Sequence, residues 1–389
     1  MSPHVVVVGA GIGGLTAAVG LKKAGCTVEV HERAHLLQPV GAGLTIQPNA
    51  VLALRHLGLG DAVEKAGHAL KAGGVFRADG KPLSVLTEAD GRALLQQVGA
   101  GIVGIHRATL HEILLGAVGR DRVHLSRTCV GAEVRGDGVR VRFSDGSEVA
   151  ADAVIGADGI HSALRKQLLG DGEPIYAGYY AWRGIAPGPG SLGPDWAGEF
   201  WGSGVRFGGC VIDGGRCYWF AVASGPGGQH EEPARGKAHV LARFSEFGAP
   251  IRELISSTPA EAIFRTDIAD RPPVTRWGDG RLTLLGDAAH PMTPNLGQGA
   301  CQAIEDALVL ALEVRRGGEL SGALRSYEKR RQPRANAVVT AARRIGAVGQ
   351  WQNPLARGAR NFLFGAMPAA ALRRQLADSW TLPYEPLPQ

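Results

Sequence analysis

Residues His4–Val8 form an unbroken β-branched run that stops at Gly9, the pattern of a strand buried on both faces. Residues 15–24 follow as a helix that closes on Gly25 in a C-cap position, and Thr27–His31 supplies a second strand. This is a βαβ opening, whose crossover is expected to be right-handed. A turn-rich loop over 41–49 leads into a helix near 50–57, and 75–98 break into short strand-like pieces and turns. Residues 109–118 return to helix, starting near Ala108 or Thr109. Short strands are predicted at 123–125, 139–143 and 148–150, with Ser144-Asp145-Gly146-Ser147 as the hairpin turn, and a buried strand at 154–156. From 176 to 264 aromatics mix with Gly and Pro without helical spacing, which predicts a β-rich second domain. The buried-strand pattern resumes at 282–285, and a helix runs through 300–315. Residues 320–351 read as helical and basic, and 353–389 alternate Pro turns with a short amphipathic piece at 359–376. No internal repeat is visible.

Composition changes this picture little. Hydrophobic residues at 45% and charged residues at 20% describe an ordinary globular chain, and 389 residues suggest about two domains. The formal charge of +6 invites a nucleic-acid reading. However, the basic residues are scattered apart from Lys329-Arg330-Arg331 with Arg334 and the pair Arg343-Arg344, which read as a solvated helix face rather than a nucleic-acid groove. No signal segment or stretch long enough to span a bilayer is visible. The five cysteines show neither metal-ligand spacing nor a disulfide rhythm, so a cytoplasmic protein without a metal is expected. Cys210 and Cys217 read as buried thiols that could share a sheet.

Three motifs carry chemistry. Gly9-Ala10-Gly11-Ile12-Gly13-Gly14 follows a strand, opens a helix, and is followed by Glu32 at the end of the second strand. Gly9 allows the tight turn, Gly11 lets backbone approach a pyrophosphate, and Gly14 lets helix and strand pack closely. The helix N-terminus offers N–H donors to phosphate, and Glu32 can accept from ribose hydroxyls. This establishes a dinucleotide without deciding between NAD and FAD. The second motif decides for FAD. Gly286-Asp287-Ala288-Ala289-His290-Pro291 ends a buried strand, and Pro294-Asn295-Leu296-Gly297-Gln298-Gly299-Ala300 leads into a helix. Asp287 suits ribityl hydroxyls, and backbone N–H groups from Gly297 through Gln298, Gly299 and Ala300 suit the electron-rich edge of a flavin. The third motif is Ala157-Asp158-Gly159, in which Asp158 could otherwise cap the following helix.

Together these motifs resemble the para-hydroxybenzoate hydroxylase family, the class A flavin monooxygenases, and more closely its salicylate hydroxylase, urate hydroxylase and zeaxanthin epoxidase branch. The likeness runs from Val5 to about Arg344. It implies an α/β fold in which a Rossmann-type FAD-binding domain (1–74, 99–175 and 270–345) is interrupted by a β-rich substrate domain (75–98 and 176–269), with C-terminal helices in 346–389. It implies that NADPH or NADH reduces FAD, and that a C4a-hydroperoxyflavin then inserts one atom of O2 into a small hydrophobic, aromatic substrate. By the same resemblance, Arg107 reaches the flavin or its pyrophosphate, Asp158 lies on the flavin side, and Arg33, Thr45 and Val130 join the cofactor set. Arg206 and Tyr218 face the substrate, and Pro294 lies by the flavin ring. His290 is expected to be structural. Asn295 stands where some urate-hydroxylating relatives carry an acid, and no substitute base is evident. Epoxidation on the same fold, or a flavin-binding module without turnover, are the alternatives. A monomer or homodimer is expected, without nucleic acid and without stable membrane insertion, although Phe362-Leu363-Phe364 beside a basic helix could touch a lipid surface.

Overall fold

The computed structural model describes residues 2–37, 42–136, 138–229 and 231–387. A six-stranded sheet is ordered Gly278–Asp279, Leu282–Leu284, Ala153–Gly156, His4–Val8, Thr27–His31 and Val123–His124. Its pairs are parallel except the first. Val5 to Val8 are buried on both sides, which is why the strand reads as continuous apolar sequence. The crossover helix Ile12–Lys23 packs on helix Gly299–Arg315 closely enough that a Cβ on Gly20 would lie 3.0 Å from Ala311 Cβ.

A second sheet of seven strands is ordered Phe264–Asp270, Ile175–Ala186, Cys217–Ser224, Val205–Val211, Ala197–Trp201, Gly73–Arg77 and Pro82–Leu86. Pairing Cys210 with Tyr218, Arg206 with Val222 and Arg183 with Phe220 puts Arg206, Tyr218, Phe220 and Tyr179 on one face. The opposite face holds Trp182, Phe207 and Trp219, sealed by Val240, Ile251 and Leu254 from two covering helices. Trp219 is fully buried, stacks on Phe207 at 5.6 Å, and donates its Nε1–H to Thr258 Oγ1 at 2.8 Å. Two three-stranded antiparallel sheets complete the β structure.

Several expectations change. Within 41–49, Gly43–Ile46 is a strand paired with Ile102–His106, and Gly41 lies outside the described residues. Residues 75–98 include the helix Glu88–Val98, started by a capping box in which Asp90 N–H donates to Thr87 Oγ1 at 3.2 Å and Thr87 N–H to Asp90 Oδ2 at 3.0 Å. Its polar exterior hid its periodicity. The segment 176–264 is not all β, since helices Pro233–Arg243 and Ala249–Ser257 cover its sheet. Cys129–Arg135 is an unforeseen strand, and the tail holds two helices, Pro354–Gly365 and Ala369–Trp380. The basic cluster is only in part a solvated face, with Lys329, Arg343 and Arg344 exposed. Arg331 is fully buried, Arg330 pairs with Glu313 and Glu385, Arg334 with Glu305, and Arg343 with Asp270. Inward acids, invisible to local sequence, take up that charge. The cysteines are free and buried, with Cys210 and Cys217 on neighbouring strands. Among the described residues no helix is long and apolar enough to cross a membrane.

Trp219→Ala is expected to cost about 3–5 kcal/mol, read as a lowered denaturant midpoint. A loss below about 1 kcal/mol would show that the two covering helices do not depend on this ring.

Candidate functional site

A cavity of about 500 Å3 opens where the glycine loop leaves the first strand, lined by Ala10, Gly11, Glu32, Ala34, Arg107 and His111 among others. Gly9 has φ +106°, and a Cβ there would lie 2.3 Å from Ala157 O. A Cβ on Gly14 would lie 1.9 Å from Gly9 O, so helix and strand meet only through glycine. Gly13 sits where a Cβ would meet Leu285 Cδ2 at 3.0 Å, joining this loop to the Gly286 turn. A Cβ on Gly11 meets nothing within 4 Å, so the backbone there faces open space. The helix behind has no side-chain N-cap, no acid in its first turn, and Lys22 and Lys23 in its last. Its positive end is therefore free to meet an anion.

Glu32 is tied into this loop. Ala10 N–H donates to its Oε2 at 2.8 Å and Ala34 N–H to its Oε1 at 2.9 Å. His111, which the sequence reading passed over, has Nε2 2.7 Å from Ala10 O. Its signal was the one-turn spacing from Arg107 on helix Arg107–Val118. Arg33 and Val130 are exposed and do not line the cavity. Asp158 does cap the following helix, accepting from Ala163 N–H at 2.9 Å, while its Oδ1 is buried without a partner among the described residues. Burial raises its carboxyl above the usual range.

The second wall is the turn Gly286–Ala288 with the loop into helix Gly299–Arg315. Asp287 is exposed to the groove, yet the protein crowded around it raises its pKa, against the pull of His290 and Arg107. Gly297 takes φ +63°, and a Cβ there would stand 2.9 Å from Gln47 Nε2 and 3.2 Å from Thr45 Oγ1. Gln298 is buried, donating to Gln47 Oε1 at 2.6 Å and accepting from Asn49 Nδ2 at 3.0 Å. Its side chain therefore braces the loop and does not point into the groove. Pro294 is exposed, while Gly299 and Ala300 are half-buried at the helix start.

A buried ionic node holds this wall. Arg331 donates to Glu305 Oε2 at 2.6 Å and to Asp306 Oδ1 at 2.7 Å. Asp306 Oδ2 accepts from Gly286 N–H at 3.0 Å and lies 2.6 Å from His290 Nε2, so His290 is structural. Burial opposes ionisation of Asp306, but His290 and Arg331 outweigh it and hold the pKa at about 2.

Facing these walls is the Arg206 side of the seven-stranded sheet. Arg206 is 2% exposed, donating to Glu199 Oε1 at 3.0 Å and to Asn295 Oδ1 at 2.5 Å. Asn295 in turn donates to Tyr179 Oη at 2.8 Å. Arg206 is thus buried and bridged, and Glu199, an acid the motifs did not single out, is its counter-ion. Its signal was alternation along the strand with Trp201. Tyr218 packs so tightly on Gly43 that a Cβ there would lie 2.3 Å from Tyr218 Cβ. Burial raises the Tyr218 phenol, opposed by Arg183. Trp182 points to the other face, donating to Glu231 Oε2 at 2.8 Å.

The FAD binding domain family matches residues 3–179 and 219–342. The chain belongs to this family. It is 44% identical over 376 residues to the aurachin C monooxygenase/isomerase of Stigmatella aurantiaca, covering 96% of this chain and 97% of that one. It is 37% identical over 342 residues to the FAD-dependent urate hydroxylase of Klebsiella pneumoniae, covering 87% and 88%. The crystal structure of Klebsiella pneumoniae HpxO with FAD and uric acid superposes with a TM-score of 0.91 at 32% identity, covering 97% of this chain and 96% of that one. The protein is accordingly an FAD-dependent monooxygenase by family. The uncapped helix end, the open space at Gly11 and the orphaned Asp158 Oδ1 are features that such a cofactor fits.

Arg331→Met is expected to cost about 3–5 kcal/mol by removing the buried cation that bridges Glu305 and Asp306. The Asp306 pKa falls on folding from 3.8 to about 2. Its contribution therefore stands in full above about pH 4 and is lost as pH drops toward 2. Denaturant melts of wild type and Arg331→Met across pH 2–7 check this. A gap between them that does not narrow on acidification would count against the node.

Proposed function

We propose that the chain uses NADPH or NADH and O2 to insert one oxygen atom into a small, largely apolar aromatic substrate. In this reading residues 1–74, 99–175 and 270–345 form the FAD-binding domain. Residues 75–98 and 176–269 lie over it, and 346–389 form a helical tail. Gly9, Gly11, Gly13, Gly14 and the helix behind them take the pyrophosphate. Glu32 orders the loop and offers the adenosine ribose its edge, with Asp158 beside Gly9 and Arg33 and Val130 farther out. Arg107 spans from the cavity toward Asp287, which takes the ribityl chain. Thr45 and the stretch Gly297, Gln298, Gly299 and Ala300 seat the flavin edge. Bound FAD, once reduced, supplies the oxygen activation; the chain positions the substrate and keeps water away.

The observation that carries the substrate side is the bond from Arg206 to Asn295, one residue beyond Pro294. It ties the aromatic sheet face to the loop beside the flavin, and Tyr179, Phe220 and Tyr218 share that face. A buried guanidinium among aromatic walls suits a ring compound that carries one oxygen dipole or anion. Pro294 gives the ring a rigid floor.

A second reading, oxygenation of a ring double bond followed by rearrangement, is favoured by the name of the relative that is 44% identical over nearly the full chain. Asn295 is neutral and Glu199 is engaged by Arg206, so neither offers a free base for deprotonating a substrate.

The holoenzyme should consume NADPH or NADH and O2 faster with aurachin C, urate or 3-amino-4-hydroxybenzoate, with a product heavier by one oxygen. A flavin that none of these substrates induces to turn over would overturn the proposal, and an isomerised carbon skeleton in the product would select the second reading. Arg206→Gln is expected to lower kcat/KM about a hundredfold, ~3 kcal/mol, at unchanged FAD content. Gly11→Asp, which has room for its side chain, should instead prevent FAD retention by placing a carboxylate against the pyrophosphate. Full flavin loading of that variant would remove Gly11 from the cofactor site.

A further inference from the structure

A cluster on another part of the central sheet takes no part in this site. His31 is 3% exposed, and neither of its ring nitrogens has a hydrogen-bond partner among the described residues. Its Nε2 stands 3.4 Å from Glu29 Oε2, and His124 Nε2 stands 3.8 Å from the same oxygen. The parallel register pairs His31 with His124, so the two imidazoles lie abreast, and Glu29 projects from the same face. One donor atom from each of the three lies within 4.8 Å of the other two. The rings of His31 and His124 are stacked with centroids 4.8 Å apart, and Phe143 backs His31 at 4.7 Å. His4 joins from the next strand. Its Nδ1 lies 3.2 Å from Ala150 O, which turns Nε2 toward Glu29 Oε1 at 3.6 Å.

We propose that Glu29, His31 and His124 bind a divalent transition-metal ion of the zinc class, with His4 steadying the outer carboxylate oxygen. Two imidazoles and one carboxylate form a donor set that such ions favour. Ligands about 2.0–2.1 Å from zinc lie roughly 3.3 Å apart in a tetrahedron, so the 3.4 and 3.8 Å spacings to Glu29 need only small closing movements, within a set whose donors all lie inside 4.8 Å. An ordinary imidazolium–carboxylate pair does not account for the cluster. The separations of 3.4 and 3.8 Å are longer than a charge-assisted hydrogen bond, and both ring nitrogens of His31 are buried without a hydrogen-bond partner among the described residues. His124 is 42% exposed and Glu29 37%, which gives an ion a path from solvent and leaves a coordination position for water. The consequence lies next door. Glu32 follows His31 directly and its N–H donates to His124 O at 2.9 Å, so an ion here would clamp the strand ends that carry Glu32.

The test uses the holoenzyme, stripped with EDTA, desalted, and titrated calorimetrically with zinc chloride. One equivalent per chain is expected to bind. His124→Ala and Glu29→Gln should each weaken it at least about tenfold, while FAD content and zinc-free melting stay at wild-type values. His239→Gln, which alters a histidine outside the cluster, should bind as wild type does. The absence of a stoichiometric site, or wild-type affinity in His124→Ala, would overturn the proposal. Because His124 lies on the edge strand and is partly exposed, its variant remains informative even if Glu29→Gln folds poorly.

Discussion

Two adjacent carboxylates, Glu305 and Asp306, lie fully buried in one turn of helix Gly299–Arg315, an arrangement that like-charge repulsion and lost hydration would otherwise forbid. Arg331 makes it stable by bridging both, from a helix that follows much later in the chain. The remaining carboxylate oxygens are also used: Glu305 accepts from Asn49, and Asp306 from Gly286 N–H. One guanidinium thus registers three segments, the helix after Gln47, the Gly286 turn and the helix Leu320–Gly349. The placement of Asp287 follows from this, because the turn that carries it hangs from Asp306. So does the seat of the Arg206 side chain, since the last turns of helix Leu320–Gly349 press on it. A Cβ on Gly349 would stand 2.9 Å from Arg206 Cδ.

The seven-stranded sheet obeys a second constraint, its period of two. Trp182, Phe207 and Trp219 point outward under helices, and Tyr179, Arg206, Tyr218 and Phe220 share the opposite face, which meets Gly43 and Asn295. A slip of one residue would exchange a dry aromatic core for a polar binding face, so the register is strongly specified. Glycine makes the alternation possible. A Cβ on Gly184 would lie 2.6 Å from Trp219 Cζ2, and one on Gly208 would lie 2.4 Å from Phe220 Cζ.

These two constraints divide what could be read from sequence from what could not. The glycine loop, its flanking strands and the Gly286 segment were legible because each is local, with strand, turn and helix start adjacent in the chain. The pairing of Arg206 with Asn295 was not legible, since it joins strands and loops far apart in sequence. The helices Glu88–Val98 and Pro233–Arg243 were hidden because each buries only a narrow stripe, Asp90 and Leu94 in one and Gly236 and Val240 in the other. The basic run around Arg331 misled for the opposite reason. Its charges look solvated until the distant acids that receive them are in place. Glu199 illustrates the same limit, as an acid whose relevance depends wholly on its cross-strand neighbours.

The charge balance around Arg206 bears on what that face can hold. Arg206 meets one carboxylate, Glu199, and one neutral amide, Asn295. Arg360 is also buried nearby, with its pKa lowered to about 10 by burial first, and then by Arg357 and Arg206. Arg360 reaches the Val348 and Gly349 carbonyls, its neighbour Asn361 and the face of Trp201, and no carboxylate neutralises it among the described residues. Two buried guanidiniums thus share one acid, and the local field is positive. On the proposed reading of this face as the substrate side, such a field would stabilise negative charge on a substrate oxygen and penalise a cationic ring by repulsion and by lost hydration together. An acid in place of Asn295 would cancel that field. The neutral amide keeps it, and on the proposed reading this would favour substrates whose oxygen is already polarised over substrates that must first surrender a proton to the protein.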